Sequence, residues 1–334
     1  MLDFLLLSPF LLIAFVLAIG IGANDETFAP VVGSRKLTPL QCVLIGSILA
    51  IIGALTLGNN VAGTVGKGIS NITLTNTMIF SVLLGMAIVL ILSSFFGLPI
   101  SSTHAMVGSI TGLAIYQAFI DGEKLFNYVN IDKINTIVLS WFLSPTIGFI
   151  GSYVIYKIIS EISLKNTSGL NSVERNETIA ANLLLVFVII TALSRGGNDV
   201  ANAVSPLMQT FSTENLSSIP LLLGGIGMAF GLVLLARKIL IALGNEIVEM
   251  TPIKALSVQI STATITFVGA FAGIPLSGTH ILVSSIVGVA YSSKSRINNR
   301  ILAKICSSAI ITPIIGAVFS ITILLFLNFF NIII

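Results

Sequence analysis
Two four-residue runs carry carboxylates into otherwise apolar sequence: Gly22-Ala23-Asn24-Asp25 and Gly196-Gly197-Asn198-Asp199, each at the end of a long apolar stretch. If those stretches lie in lipid, an unpaired carboxylate there costs about 2.5–3.5 kcal/mol even on insertion scales, so Asp25 and Asp199 need a partner or water. Interfacial hydration would satisfy one such group; repetition in the same context favours a buried use. The glycines let the backbone leave a helix and expose carbonyl oxygens. Carboxylate, amide and carbonyl oxygens together suit a hard cation such as Na⁺. Glu26 and Asn202, close by in sequence, extend the oxygen set at Asn24, Asp25, Asn198 and Asp199.

A second pair recurs: Gly97-Leu98-Pro99-Ile100-Ser101-Ser102-Thr103-His104 and Gly273-Ile274-Pro275-Leu276-Ser277-Gly278-Thr279-His280. Gly and Pro break a helix, and the next helix begins at the Ser/Thr cluster, its free N–H groups and positive dipole end pointing at the break. Such a helix start is a ready anion site, and Ser101, Ser102, Thr103, Ser277 and Thr279 add hydroxyl donors, with Gly278 among them. Any one of these hydroxyls alone is a helix cap. Their symmetric recurrence points to two tips gripping one tetrahedral anion beside the Asn-Asp pairs. His104 and His280, the only two histidines, fit either as tip supports or as a proton relay.

The elements that must position these groups are membrane helices. Hydrophobic residues make up 55% of the 334 and charged ones 9%, with mean hydropathy +1.06, far from soluble composition. Ten apolar segments follow one another: 4–21, 40–57, 78–96, 105–119, 137–156, 179–193, 221–236, 255–271, 281–291 and 305–334. Most approach the roughly 20 residues a spanning helix needs, and 105–119 and 281–291 fall short. Each short one follows a Pro-x-Ser-x-Thr-His element, the pattern of a re-entrant hairpin with its tip at mid-depth. A barrel would instead show alternating ten-residue strands. The first segment, with no basic residue ahead of it, reads as a retained span rather than a signal peptide. Cys42 and Cys306 fall in apolar segments and read as small buried hydrophobes.

Assigning alternate loops to opposite sides puts 12 of the 16 Lys and Arg residues on one side and Lys67, Lys124, Lys133 and Arg195 on the other. The positive-inside rule makes the first side cytoplasmic and places both termini outside. The net charge of +3 then reflects topology rather than a nucleic-acid surface. Asp25 and Asp199 are 174 residues apart and His104 and His280 are 176 apart, so two motifs repeat at nearly one spacing. Each half holds an odd number of spans, which inverts the second half. The expected organisation is a first inverted repeat over 1–159, a polar cytoplasmic linker over 160–178 and a second repeat over 179–334. The fold class is an all-α polytopic membrane protein of two inverted repeats with broken helices. That pattern points to a secondary transporter in the cell membrane, with its site near the midplane. No nucleotide-binding loop and no His-x-x-x-His or Cys-x-x-Cys spacing points to ATP-driven transport or a zinc enzyme. Two membrane aspartates also fit an intramembrane aspartyl protease, though neither the tips nor the inverted symmetry would serve one.

These motifs resemble the inorganic phosphate transporter family, which includes bacterial and archaeal permeases and animal sodium–phosphate symporters. Gly196-Gly197-Asn198-Asp199-Val200-Ala201-Asn202-Ala203 follows the family signature closely, and both Pro-x-Ser-x-Thr-His elements look like the family's. Asn59-Asn60-Val61-Ala62-Gly63-Thr64 and Gly244-Asn245-Glu246 with Met250-Thr251-Pro252 resemble its intermediate segments less specifically. The resemblance implies phosphate uptake coupled to Na⁺ or H⁺, with motif Asn, Asp, Ser and Thr residues as ligands, no organic cofactor and about twelve membrane segments against the ten counted. Phosphate suits the residues: it keeps a P–OH near neutral pH that a carboxylate accepts, whereas sulfate leaves the carboxylate unpaired. Bound cations would offset the repulsion between anion and carboxylates. A proton-coupled permease, for phosphate or a neutral metal–phosphate complex, is the alternative. The first copy departs from the signature with Glu26 and Phe28-Ala29, which would alter cation number or choice. The sequence is compatible with a monomer or a homodimer.

Overall fold
The computed structural model describes residues 2–71, 73–95, 100–165, 167–209 and 218–331. Gly97, Leu98 and Pro99 of the first tip, and the side chains of Asn245 and Glu246, lie outside the described set.

The chain is almost wholly helical: α1 (Leu2–Ala23), α2 (Ala29–Gly33), α3 (Pro39–Gly68), α4 (Asn76–Phe95), α5 (Ser102–Asp121), α6 (Leu125–Tyr128), α7 (Ile131–Lys165), α8 (Leu170–Val204), α9 (Ser218–Leu235), α10 (Arg237–Glu246), α11 (Pro252–Phe271), α12 (Gly278–Ser292) and α13 (Asn299–Phe329). Among the described residues no strand forms, since only a single bridge joins Ser70 and Val129. Among the described residues, all ten apolar segments lie mostly on helices. Among the described residues, seven helices are long and apolar enough to cross a membrane: α3, α4, α7, α8, α9, α11 and α13. At 15 residues, α12 is about 22 Å long and falls short of a bilayer's hydrocarbon. Large apolar side chains such as Phe142, Ile147, Ile310 and Ile314 face outward, while the ionisable groups of both Asn-Asp motifs are buried. That arrangement suits lipid as solvent.

The packing is paired across the halves. Helix α1 packs on α9 and α8 on α3; α1 lies against α4 and α8 against α11; α5 contacts α13 and α12 contacts α7. Small residues permit the closest of these approaches. A Cβ added at Gly53 on α3 would lie 2.1 Å from the Leu193 carbonyl oxygen of α8, so the backbones meet with no room for a side chain.

Two expectations need correction, and the helices on either side of the polar stretch run further into it than the apolar segments do. The first Asn-Asp pair does leave its helix, as Asn24 and Asp25 follow the end of α1, but Gly196, Gly197, Asn198 and Asp199 remain inside α8, which continues to Val204. The polar stretch 160–178 is mostly helix, because α7 runs to Lys165 and α8 starts at Leu170; at 35 residues each these helices are about 52 Å long and project beyond a bilayer. Of the cysteines, Cys42 is buried but Cys306 is exposed on the outer face of α13.

Candidate functional site
The two tips meet. Ser101 is the N-cap of α5, its Oγ accepting from the His104 N–H at 3.2 Å; Ser277 is the N-cap of α12, its Oγ accepting from the His280 N–H at 3.4 Å. Both helix starts therefore direct their free N–H groups and positive dipole ends toward one place. Across the contact, the Thr103 hydroxyl donates to the Leu276 carbonyl at 3.0 Å. Behind it the rings of His104 and His280 lie 4.6 Å apart, and Trp141 packs on His104 at 3.8 Å between centroids. His280 Nδ1 also shares a 2.8 Å hydrogen bond with Ser277 Oγ.

The motif asparagines hold the tips. Asn24 Nδ2 donates to the Ile100 carbonyl at 2.6 Å, and Asn198 Nδ2 donates to the Leu276 carbonyl at 3.0 Å. Ile100 and Leu276 are the matching residues just before the two N-caps. Asn198 Oδ1 also accepts from the Leu276 N–H at 3.2 Å, so this amide clamps the Leu276 main chain at both its N–H and its C=O. Asn202 Nδ2 reaches over to the first tip, donating to Thr103 Oγ1 at 3.0 Å and to Ser102 Oγ at 3.3 Å. The Oδ1 atoms of Asn24 and Asn202 are buried with no protein partner. Unpaired buried acceptors of this kind are uncommon and point to a ligand.

The carboxylates are gathered by a residue that sequence reasoning placed in a loop. Arg195, counted there among the four outside basic residues, is only 5% exposed and lies within α8. Its Nε donates to Asp199 Oδ2 at 2.8 Å, one turn along the helix. Nη1 donates to Glu26 Oε1 at 2.8 Å, and Nη2 lies 3.5 Å from Asp25 Oδ1. Asp25 Oδ1 also accepts from the Thr27 N–H and hydroxyl at 3.0 and 2.7 Å, and Asp199 Oδ1 accepts from Asn198 Nδ2 at 2.8 Å. Asp25 and Asp199 therefore do not form a bare dyad, because a guanidinium sits between them. Gln259 on α11 was likewise missed: its Nε2 donates to the Thr27 carbonyl and its Oε1 accepts from Thr191, both at 2.8 Å, fixing the loop that carries Asp25. A fully buried Gln in an apolar helix was the only signal for it. Phe28, which departs from the expected motif, is buried and packs under Gly46 as an anchor for the same loop.

Ser101, Ser102, Thr103, Gly278 and Thr279 share one cavity with Asn24, Arg195 and Asp199. Its volume is about 10 Å³, room for roughly one water. In this conformation the site is assembled but closed to anything the size of a tetrahedral oxyanion.

Apolar outer faces, broken helices and an enclosed, hydroxyl-lined site of buried charges define a polytopic helical membrane transporter. The phosphate transporter family matches residues 21–320, and the chain belongs to it. It is 28% identical to a putative phosphate permease of Pyrococcus furiosus over 92% of this chain and 93% of that one, and 28% identical to one of Pyrococcus abyssi over 93% and 96%. A putative phosphate permease of Haemophilus influenzae is 28% identical over 92% and 93%. Among solved structures, the sodium-dependent phosphate transporter superposes with a TM-score of 0.81 at 24% identity, covering 96% of this chain and 99% of that one, which shows that the fold is shared. The chain transports phosphate and is not an enzyme; the protease alternative is thereby set aside.

Proposed function
We propose that the chain imports phosphate together with Na⁺ by alternating access, with the anion held near the membrane midplane between the two tips. The observation that carries this reading is the convergence of two helix N-termini, with Ser101, Ser102, Thr103, Gly278 and Thr279, on a cavity that also borders Arg195 and the buried carboxylate of Asp199, while Ser277 caps the second helix beside it. Two dipole ends and several hydroxyls stabilise a tetrahedral anion at a cost that water-exposed groups would not match.

Na⁺ is favoured by the free oxygens. Asn24 Oδ1 and Asn202 Oδ1, buried without partners beside Asp25 and Asp199, are hard acceptors of the type an alkali cation takes. The name of the structurally similar sodium-dependent transporter agrees with that choice. The mutually exchanged helix pairs support two inverted halves, and the closed cavity supports a cycle in which the tips part to admit phosphate and reseal behind it. His104 and His280, packed behind the tips against Trp141, support them; a relay role would need a path for protons to these rings.

Radiolabelled phosphate uptake into proteoliposomes tests this, driven by either an imposed Na⁺ gradient or an imposed pH gradient, with sulfate as competitor. Uptake driven by Na⁺, resistant to sulfate and lost in Asp199→Asn is the expected result. Uptake driven only by pH would move the coupling to protons, and none under either gradient would sink the reading.

A further inference from the structure
The two halves differ in charge at two matched places. At the 174-residue offset of the Asn-Asp motifs, Arg195 corresponds to Ile21 and Glu26 corresponds to Val200. Each half thus carries one ionisable group that the other lacks, of opposite sign, and the two are bonded at 2.8 Å. The pair adds no net charge to the two motif aspartates. It does place a fixed positive charge between them, because the same guanidinium reaches Asp199 and Asp25 at 2.8 and 3.5 Å. Among the described residues Arg195 is the only Lys or Arg that is buried.

Space at the second tip is fitted to this side chain. Gly278 stands where the first tip has Ser102. A Cβ there would lie 2.4 Å from Arg195 Cδ and Nε and 2.5 Å from Cζ, so the guanidinium lies directly against the tip backbone, on the wall of the cavity. The carboxylates, for their part, are drawn round the guanidinium: among the described residues no three His, Cys, Asp or Glu groups converge as a ready metal cage.

We propose that Arg195 is a resident counter-cation that takes the place of one coupling alkali cation between Asp25 and Asp199, and that Glu26 is the carboxylate that keeps it there. The inference rests on the cation-coupled reading above. The pair leaves the net charge of the site unchanged, but its guanidinium fills the position between Asp25 and Asp199 that a mobile cation would otherwise take, so one fewer is bound there. The guanidinium, always charged and carrying five N–H donors, does this without leaving.

The deciding variant is the double replacement Glu26→Gln/Arg195→Gln, which removes the pair while keeping the net charge of the site unchanged and leaves the place between Asp25 and Asp199 open to a mobile cation. Single variants strand a buried charge and risk misfolding. The readout is the number of ²²Na⁺ ions bound per purified chain in detergent at saturating phosphate, which does not require transport. The expected result is one more ion per chain in the double variant than in the parent, and a correspondingly steeper Na⁺ dependence of uptake in proteoliposomes. Equal ion counts in the two proteins would overturn the proposal. A parent that binds Na⁺ but moves no phosphate would instead overturn the transport reading, leaving the difference in counts to decide this one. Gly278→Ser provides a second route, since it crowds the guanidinium without touching a carboxylate. It is expected to weaken phosphate binding by about tenfold, the size of one disturbed charge-assisted contact; binding within twofold of the parent would show that the guanidinium does not depend on this fit.

Discussion

Thr103 is the point at which the first tip holds the second. Its hydroxyl donates to the Leu276 carbonyl and accepts from Asn202 Nδ2, both at 3.0 Å, in a site that excludes bulk water. Thr103→Val keeps the shape and removes both bonds, leaving the Leu276 carbonyl to Asn198 and the Asn202 amide to Ser102, at about 0.5–1.5 kcal/mol for each bond lost. We expect the KM for phosphate in proteoliposome uptake to rise by about tenfold or more, with protein yield and melting temperature in detergent close to the parent's. A KM within twofold of the parent would remove Thr103 from the site. At this scale the sequence was informative about donors and acceptors but not about their pairing. Asn24 and Asn198 stand in the sequence as candidate phosphate and cation ligands, with no sign of what else their amides hold. Their amide N–H groups hold Ile100 and Leu276, which lie 76 and 78 residues away, and of their two side-chain oxygens that of Asn24 has no protein partner.

At the scale of elements, the second tip is a short non-helical break between α11 and α12, and each tip leads into a helix anchored by packing: α5 on α13 and α12 on α7. Trp141 on α7, the only tryptophan in the chain, lies against His104 in the first turn of α5. Its indole is therefore a reporter of the first tip. Phosphate and Na⁺ added together to the purified protein are expected to change Trp141 emission saturably, and sulfate with Na⁺ is expected to leave it unchanged. An emission that does not respond while ²²Na⁺ or phosphate binding is detectable would show that this tip stays fixed as ligands bind. The hairpin pattern itself was legible, because Gly and Pro followed by Ser and Thr is a local signal for a helix end and a helix start. The continuity of α8 through Gly196 and Gly197 was not. Helix propensity allows glycine to end a helix, but packing against α3, where small residues are needed for close approach, favours keeping it.

At the scale of the whole molecule, orientation follows from the basic residues. Moving Arg195 from a loop into the site leaves three Lys residues on the side expected to be outside and strengthens the asymmetry. In a background with Cys42→Ala and Cys306→Ser, a cysteine at Glu123, exposed after α5, is expected to react with a membrane-impermeant maleimide in intact cells. One at Leu170, exposed at the start of α8, is expected to react only after permeabilisation. The reverse pattern would invert the topology.

The sequence by itself determined the solvent, the ten helical segments, the two recurring motifs and the class of ligand, because hydropathy, helix-breaking residues and the chemistry of Asn, Asp, Ser and Thr are local properties. The tertiary structure decided which charges meet. Arg195 looked like a loop cation because the apolar run ahead of it stops at Leu193. It became the centre of the site only when folding brought Glu26, 169 residues away, to 2.8 Å from its guanidinium. Contacts at that separation leave no periodic trace in sequence. They follow from packing α8 against helices of the other half, which withdraws water from the guanidinium and makes the three carboxylates its solvation shell.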